Sequence, residues 1–374
     1  VGGIVGRSLI SILLAFIFGL NAVSSAQTRD EWKRVTAPRK WSFPRDFGAH
    51  PEYRTEWWYF TGNLRDRAGN RYGYQLTFFR QGIRSQLPTP ANAWDIRDLY
   101  LAHFAVTDVS GRRFRAVDRL SRAGPGLAGA SQEEMNVWLL NWSARMKGSS
   151  IHLEAREAEK ELRLELTPRK PPVIHGQDGV SRKGPGQGQA SYYFSFTDLD
   201  TRGSLKLPGS ATPIEVRGVS WFDQEFGSSQ LSPEQKGWDW FGLHLSDGRD
   251  LMIYLLRLKD GSVEPASSGT LVAADGSVRH LKLSDFSVTV LGRWESPRSK
   301  GEYPSRWRIK VPPAAIDLAI DPLLADQELH TEGSTGIIYW EGAVAGRGIS
   351  GGRAVTCEGY AELTGYAGSL GGTF

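Results

Sequence analysis

The sequence predicts an all-β protein built as two tandem antiparallel barrels with little helix. Three observations predict it: an aromatic hairpin that occurs twice, a succession of strand-like segments separated by Gly, Asp and Asn turns, and a single helix-start signal in 374 residues. The first copy of the hairpin opens with His50-Pro51-Glu52-Tyr53-Arg54-Thr55-Glu56-Trp57-Trp58-Tyr59-Phe60-Thr61-Gly62. The second opens with Gly237-Trp238-Asp239-Trp240-Phe241-Gly242-Leu243-His244-Leu245. In register, Trp57 meets Trp238, Tyr59 meets Trp240, Phe60 meets Phe241 and Leu64 meets Leu245. An Asp/Gly turn follows in each copy (Asp66 to Gly69, Asp247-Gly248). Then Tyr74–Arg80 meets Leu251–Arg257, an apolar second strand ending in Arg. Two distant copies of one hairpin imply two related all-β units.

The elements follow in order. Arg7, an apolar run from Leu9 to Leu20 and the small residues Ala22-Val23-Ser24-Ser25-Ala26 read as a secretory signal peptide over 1–26, cut after Ala26. The run is too short for a stable membrane span. A secreted or periplasmic location follows, and the single cysteine, Cys357, excludes an internal disulfide. Residues 27–40 form a polar lead-in, and 41–226 the first barrel. Within it, Tyr100–Asp108 reads as a buried strand, and Ile151–Ala155 and Leu162–Leu166 alternate with period two, as half-buried antiparallel strands do. Ser131-Gln132-Glu133-Glu134 fits a capping box, so a short helix is expected there. Residues 121–130 and 168–190 are loops rich in Gly, Pro, Lys and Arg, the second long enough to serve a function. Strands at Tyr192–Phe196 and Val216–Trp221 are echoed by Ile338–Gly342 and Cys357–Glu362. A linker over 227–237 leads to the second barrel at 238–374. An aromatic-lined up-and-down barrel of this size holds one small ligand.

Composition narrows the function. Hydrophobic residues make up 40% and charged residues 23%, which is globular, and 13 tryptophans suit both strands and the walls of an apolar cavity. The net charge of +4 is scattered, with no concentrated basic stripe for nucleic acid. Gly124-Pro125-Gly126-Leu127-Ala128-Gly129 matches a dinucleotide pattern but lacks the strand–turn–helix setting. Gly348-Ile349-Ser350-Gly351-Gly352 matches a nucleophile elbow, yet no His or Asp follows Ser350, so a glycine hairpin is expected. No zinc-hydrolase motif occurs. His50, Glu52 and Glu56 have either a metal-ligating reading or that of a salt-bridge cluster with Arg54. Neither metal nor cofactor is expected.

Acids beside aromatics remain. Glu56 precedes Trp57-Trp58-Tyr59, Asp223-Gln224-Glu225 follows Trp221-Phe222, Asp239 separates Trp238 from Trp240, and His103 interrupts an apolar strand. A carboxyl group in an apolar pocket loses hydration, keeps its proton to higher pH and can act as general acid. Tryptophan faces can stabilise a cation. The competing reading makes these acids structural partners of Arg54, Arg80, Arg217 or Arg257.

The blocks His50–Gly62, Thr77–Arg80, Leu99–Phe104, Trp221–Glu225, Gly237–Trp240 and Glu358–Tyr366 resemble the AttH-like proteins, also called predicted secreted hydrolases and related to carotenoid 1,2-hydratase. The resemblance covers the chain from Trp41 to Tyr366. It implies two lipocalin-like barrels and a lipid- or isoprenoid-sized apolar ligand. For the enzyme members it implies protonation of an isolated double bond and addition of water. The hydratases carry Asp-His-x-Trp where this chain has Asp223, Gln224 and Phe226, and Gln cannot exchange protons as His does. No triad or metal set in this chain answers to the word hydrolase. The sequence therefore leads to Glu56 and Asp223 as acids with Glu225 beside them and His103 as relay or orienting group. Trp57, Trp58, Tyr59, Gln224, Trp238, Asp239 and Trp240 are expected to bind the ligand. The expected partner is a hydrophobic small molecule or lipid. A carrier without chemistry is the alternative, and an accessory role beside a membrane transporter rests on the resemblance alone.

Overall fold

Both aromatic segments form the first strand of a sheet. The computed structural model describes residues 32–370, apart from 88, 90, 91, 93, 230 and 369; the leader read over 1–26 lies outside the described residues. The first sheet begins with β1 (Thr55–Asp66), β2 (Arg71–Gly82), β3 (Asp98–Asp108) and β4 (Arg113–Arg122). It continues through β5 (Ala128–Ala130), β6 (Asn136–Leu139), β7 (Trp142–Lys147), β8 (Ser150–Glu157) and β9 (Lys160–Pro168). Two short strands, β10 (Val173–Ile174) and β11 (Ser181–Arg182), precede the long β12 (Ala190–Lys206) and β13 (Ile214–Ser229). The order is β4-β3-β2-β1-β13-β12-β9-β8-β7-β6-β5, with β10 and β11 on β12. The first strand thus pairs with the last, and the sheet is a nearly closed barrel.

The second sheet repeats this plan. It contains β14 (Gln235–Leu245), β15 (Asp250–Leu258), β16 (Ser268–Val272), β17 (Val278–Lys282) and β18 (Ser287–Glu295). After these come β19 (Glu302–Val311), β20 (Ile316–Pro322), β21 (Glu328–His330), β22 (Ile338–Ser350) and β23 (Arg353–Leu363). Its order is β17-β16-β15-β14-β23-β22-β20-β19-β18, so β14 again lies between the second strand and the last. This sheet is a half-barrel. The chain passes from the first sheet to the second between Ser229 and Gln235, and strand structure occupies both ends of the stretch read as a linker.

Three expectations about local structure change. The loop expected over 121–130 is narrower, since its ends belong to β4 and β5. Ser131 caps no helix. Its Oγ accepts a hydrogen bond from the Glu133 amide at 3.1 Å, but Met135, Val137 and Leu139 are buried alternately, and that period of two continues as strand β6. The loop over 168–190 carries β10 and β11, which lay it along β12. The glycine hairpin at Ser350 is present: Gly351 and Gly352 have φ of 56° and 79°, and the Ser350 hydroxyl is bonded to Asp247 at 2.5 Å.

The side-chain alternation sorts the aromatic strands into two faces. Trp58 and Phe60 point into the first barrel with Leu76, Phe78, Phe104, Trp142 and Phe222. Phe241 and Leu243 point into the second with Ile253, Trp307, Trp340 and Leu363. The opposite faces turn toward each other, and Tyr59, Tyr193 and Trp221 pack with Trp240, Met252, Tyr254 and Tyr360. Each large ring removed from water stabilises this seam by roughly 1.5–3 kcal/mol before entropy. Polar groups fix its register: Asn63 donates to the Gly359 carbonyl at 2.9 Å, and the Thr107 hydroxyl donates to Gln327 at 2.7 Å. A Cβ at Gly73 would lie 2.6 Å from the Tyr360 hydroxyl and 2.8 Å from the Ala343 Cβ, so only glycine permits this approach. Where a hollow was expected inside each barrel, buried side chains pack together, and the aromatic cavity lies between the barrels.

Candidate functional site

The cavity occupies about 100 Å³ of the seam. That is small beside the roughly 300–1,000 Å³ of sites that enclose a drug-sized molecule, and it suits a single ring or short branched group. Its walls come from equivalent positions of the two repeats. In the first sheet, Trp57 lies between Phe79 and Glu225, and Tyr59 between Thr77 and Asp223, across the β2-β1-β13 ladder. Tyr193 and Ser195 of β12 extend these two rows. In the second sheet, Trp240 lies between Tyr254 and Glu362, and Glu341 of β22 pairs with Glu362. An aromatic residue on each first strand therefore faces a carboxyl group on each last strand. Asp223 stands to Tyr59 as Glu362 stands to Trp240.

Both acids are held near neutrality. Asp223 is buried, and burial raises its pKa to about 7 against the hydrogen bonds that lower it. Its Oδ2 accepts from the Tyr193 hydroxyl at 2.8 Å, and its Oδ1 from the Trp221 indole at 2.6 Å and from the Ser195 hydroxyl. Burial likewise raises Glu362 to about 7, with the charges of Asp223 and Glu225 adding to the shift, although the Trp238 indole donates to it at 3.0 Å. Glu341 is pushed well above the ordinary carboxyl value by burial and by Glu362. The fourth cavity acid, Glu225, is paired with Lys183 at 2.8 Å and accepts from Ser191. Burial opposes the Lys183 ammonium, but Glu225 and Tyr254 offset this and its pKa is raised. Its Nζ stands 4.3 Å from the Tyr254 ring centroid. Trp240 completes the aromatic wall, 5.4 Å from Tyr59 in a T-shaped pair, and its indole donates to Tyr193 at 3.1 Å. The result is a small aromatic chamber with four carboxyl groups and one ammonium.

The family model for AttH-like proteins matches residues 34–366. The chain belongs to the AttH-like family. A crystal structure from Nitrosomonas europaea, provisionally named AttH, is 34% identical to it; the match covers 89% of this chain and 99% of that one, with a TM-score of 0.80. Kievitone hydratase from Nectria haematococca shares the fold at 15% identity, covering 91% of this chain and 97% of its own, with a TM-score of 0.67. No protein among those with curated descriptions matches the chain.

In this AttH-like protein the residues singled out in the sequence divide between the cavity and its surroundings. Asp223, Glu225, Trp57, Tyr59, Trp238 and Trp240 line the cavity. Trp58 does not; it lies in the first barrel's core and donates to the Phe47 carbonyl at 3.2 Å. Glu56 and Gln224 share a separate buried cluster. Glu56 is bonded to His50 Nδ1 at 2.8 Å, to Gln224 at 3.0 Å and to Arg80 at 3.4 Å, and Gln224 also donates to the Gly48 carbonyl at 2.9 Å. Burial works against the Glu56 charge, but His50 and Arg80 overcome it and hold its pKa below the ordinary value, so Glu56 is a carboxylate. Of the arginines offered by the sequence as structural partners, Arg80 is the one that pairs with Glu56, not Arg54. Asp239 faces away from the cavity and is bonded to Arg257 at 2.8 Å and to Tyr366 at 3.1 Å. Both arginines that end the second strands thus neutralise an acid of the first.

His103 lies behind the cavity wall. Burial lowers its pKa to about 3, so it is a neutral imidazole. Its Nδ1 is bonded to the Tyr339 hydroxyl at 2.8 Å and its Nε2 to Ser334 at 3.0 Å. Tyr339 in turn accepts from Gln75, a cavity residue, at 3.1 Å. Sequence reasoning missed Glu362, Glu341, Lys183, Tyr193, Gln75 and His175. His175 bridges Ser195 at 2.6 Å and Thr270 at 2.8 Å, one bond behind Asp223. The long loop already marked as functional supplies both His175 and Lys183.

Proposed function

We propose that the seam cavity catalyses acid–base chemistry on a carbon–carbon double bond, with hydration as the leading reaction. The observation that carries this reading is the pair Asp223 and Glu362, each with a pKa of about 7, facing one aromatic chamber. A carboxyl group of this pair transfers its proton to one alkene carbon and leaves a cation on the other. The faces of Trp57, Trp238 and Trp240 and the new carboxylate stabilise that cation. Water forms the carbon–oxygen bond and gives its extra proton back to a carboxylate, which restores the starting state. The hydratase name of one structural relative supports the reaction class. The substrate is an unsaturated, mainly apolar molecule whose reacting end enters the cavity. The size of the chamber favours turnover of such an end over storage of a whole lipid. Export, through cleavage after Ala26, belongs to the same proposal, and a mature N-terminus following Ala26 is its expected sign.

The test incubates the purified protein with small isoprenoid alkenes and vinylphenols in oxygen-18 water. Product carrying the label is expected, with Asp223→Asn and Glu362→Gln each slowing its formation by about 10²–10⁴-fold. Unchanged turnover in both variants ends the acid assignment. Unaltered lipid recovered by solvent extraction, with no labelled product, favours a carrier.

A further inference from the structure

One corner of the cavity holds buried polar groups that the reaction scheme does not use. Both carboxyl oxygens of Glu341, the Tyr59 hydroxyl and Gln75 Oε1 are buried without a hydrogen-bond partner in good geometry, and all three residues line the cavity. Unpaired buried polar atoms are costly, and each calls for a reason. Several packed groups fix this arrangement. Gln75 Nε2 donates to Tyr339 at 3.1 Å and to Thr77 at 3.2 Å, which orients the amide and leaves Oε1 as a bare acceptor. Tyr339 is bonded to His103 and Gln75, and although its hydroxyl acts on the Glu341 carboxyl it closes no hydrogen bond of good geometry with it. The Tyr59 hydroxyl and the Glu341 carboxyl influence each other without closing a hydrogen bond.

The donor and acceptor inventory selects the occupant. Gln75 Oε1 requires a hydrogen from the ligand, whereas the Tyr59 hydroxyl can donate to a lone pair. An ammonium group has no lone pair, and a hydrocarbon satisfies neither. A carboxylate has no hydrogen to give Gln75 Oε1 and would be repelled by it. We propose that Tyr59, Gln75 and Glu341 form a subsite for a neutral hydroxyl oxygen. That oxygen belongs either to an alcohol or phenol group of the substrate or to the water molecule that adds. The assignment deepens the hydration reading, and it makes His103 a positioning residue that acts through Tyr339 and Gln75.

Binding, rather than turnover, tests it, so its failure is separate from that of the hydratase reading. Phenol, toluene and benzylamine are titrated against the full protein by calorimetry. Phenol is expected to bind roughly tenfold more tightly than toluene, and benzylamine more weakly than phenol. Tyr59→Phe and Gln75→Met are each expected to shrink the phenol preference to within about threefold while toluene affinity holds. Equal binding of phenol and toluene, no binding of either, or tighter binding of benzylamine overturns the proposal. Crystals soaked with the two neutral probes separate the sources of the oxygen. Water at the corner beside toluene identifies the water site, and its replacement by the phenol hydroxyl identifies the substrate group. A corner with no oxygen in either crystal also overturns it.

Discussion

Buried carboxyl groups in this protein behave in two opposite ways, and the difference lies in their partners. Asp223 and Glu362 face rings, indole donors and other acids, and each titrates near 7. Glu56 faces His50 and Arg80 and stays ionised. The linkage signs follow. An unfolded aspartate releases its proton near 3.8, whereas folded Asp223 holds it to about 7. Stability is therefore lost as pH rises through that window, by a few kcal/mol at most for each such acid. Thermal unfolding of the wild type is expected to shift to lower temperature between pH 5 and pH 8. Asp223→Asn and Glu362→Gln should each flatten that slope. Glu56 has the reverse sign: its stabilisation is present above the unfolded glutamate pKa and is lost as pH falls through the depressed folded value. Glu56→Gln at pH 7 takes one of two carboxylates from Arg80 and from His50, leaving Asp98 and Asp46 beside them. A loss of about 1–3 kcal/mol in urea denaturation is expected, with a smaller loss in acid.

Strands and loops set which acid reaches the cavity. In β13, Asp223 and Glu225 face the seam while Gln224 points into the first barrel, since alternate residues of a strand take opposite faces. The two-residue period was visible in the sequence, but its phase was not, because Trp57/Tyr59 and Trp58/Phe60 are equally apolar. Trp58 and Phe60 became buried in a barrel, while Tyr59 is buried and Trp57 half-buried in the seam. Glu362 was hidden for a related reason. Aligning the last strands on Gly218 and Gly359 matches Glu362 to Trp221. The ladders, however, place Gly218 opposite Leu64 and Gly359 opposite Leu243, a register two residues apart, and Glu362 takes the place of Asp223. Composition could mark the loop over 168–190 as functional, but only its pairing with β12 delivers Lys183 to Glu225. Lys183→Met is expected to cost about 3–5 kcal/mol in urea denaturation, and adding Glu225→Gln should recover most of it by removing the stranded charge.

For the whole molecule, the repeated hairpin foretold two sheets of like topology, and the sheets have it. What the repeat could not foretell was that the ligand space belongs to neither sheet alone. The seam joins them through buried rings and through the Asn63–Gly359 and Gln75–Tyr339 bonds. Unfolding by urea is expected to be one transition by both fluorescence and circular dichroism. Chains limited to 32–229 or 235–370 would expose Tyr193 and Trp221, or Trp240 and Tyr254, to water. Each fragment should bind a hydrophobic dye and aggregate, and a clean monomeric fragment of either kind would refute this dependence. The matched rows around Tyr59 and Trp240 also bear on what the chamber can tell apart. Asp223 beside Tyr59 and Glu362 beside Trp240 hold like places on the two sheets yet differ in reach and shape, so the vessel offers a left and a right hand to whatever enters it.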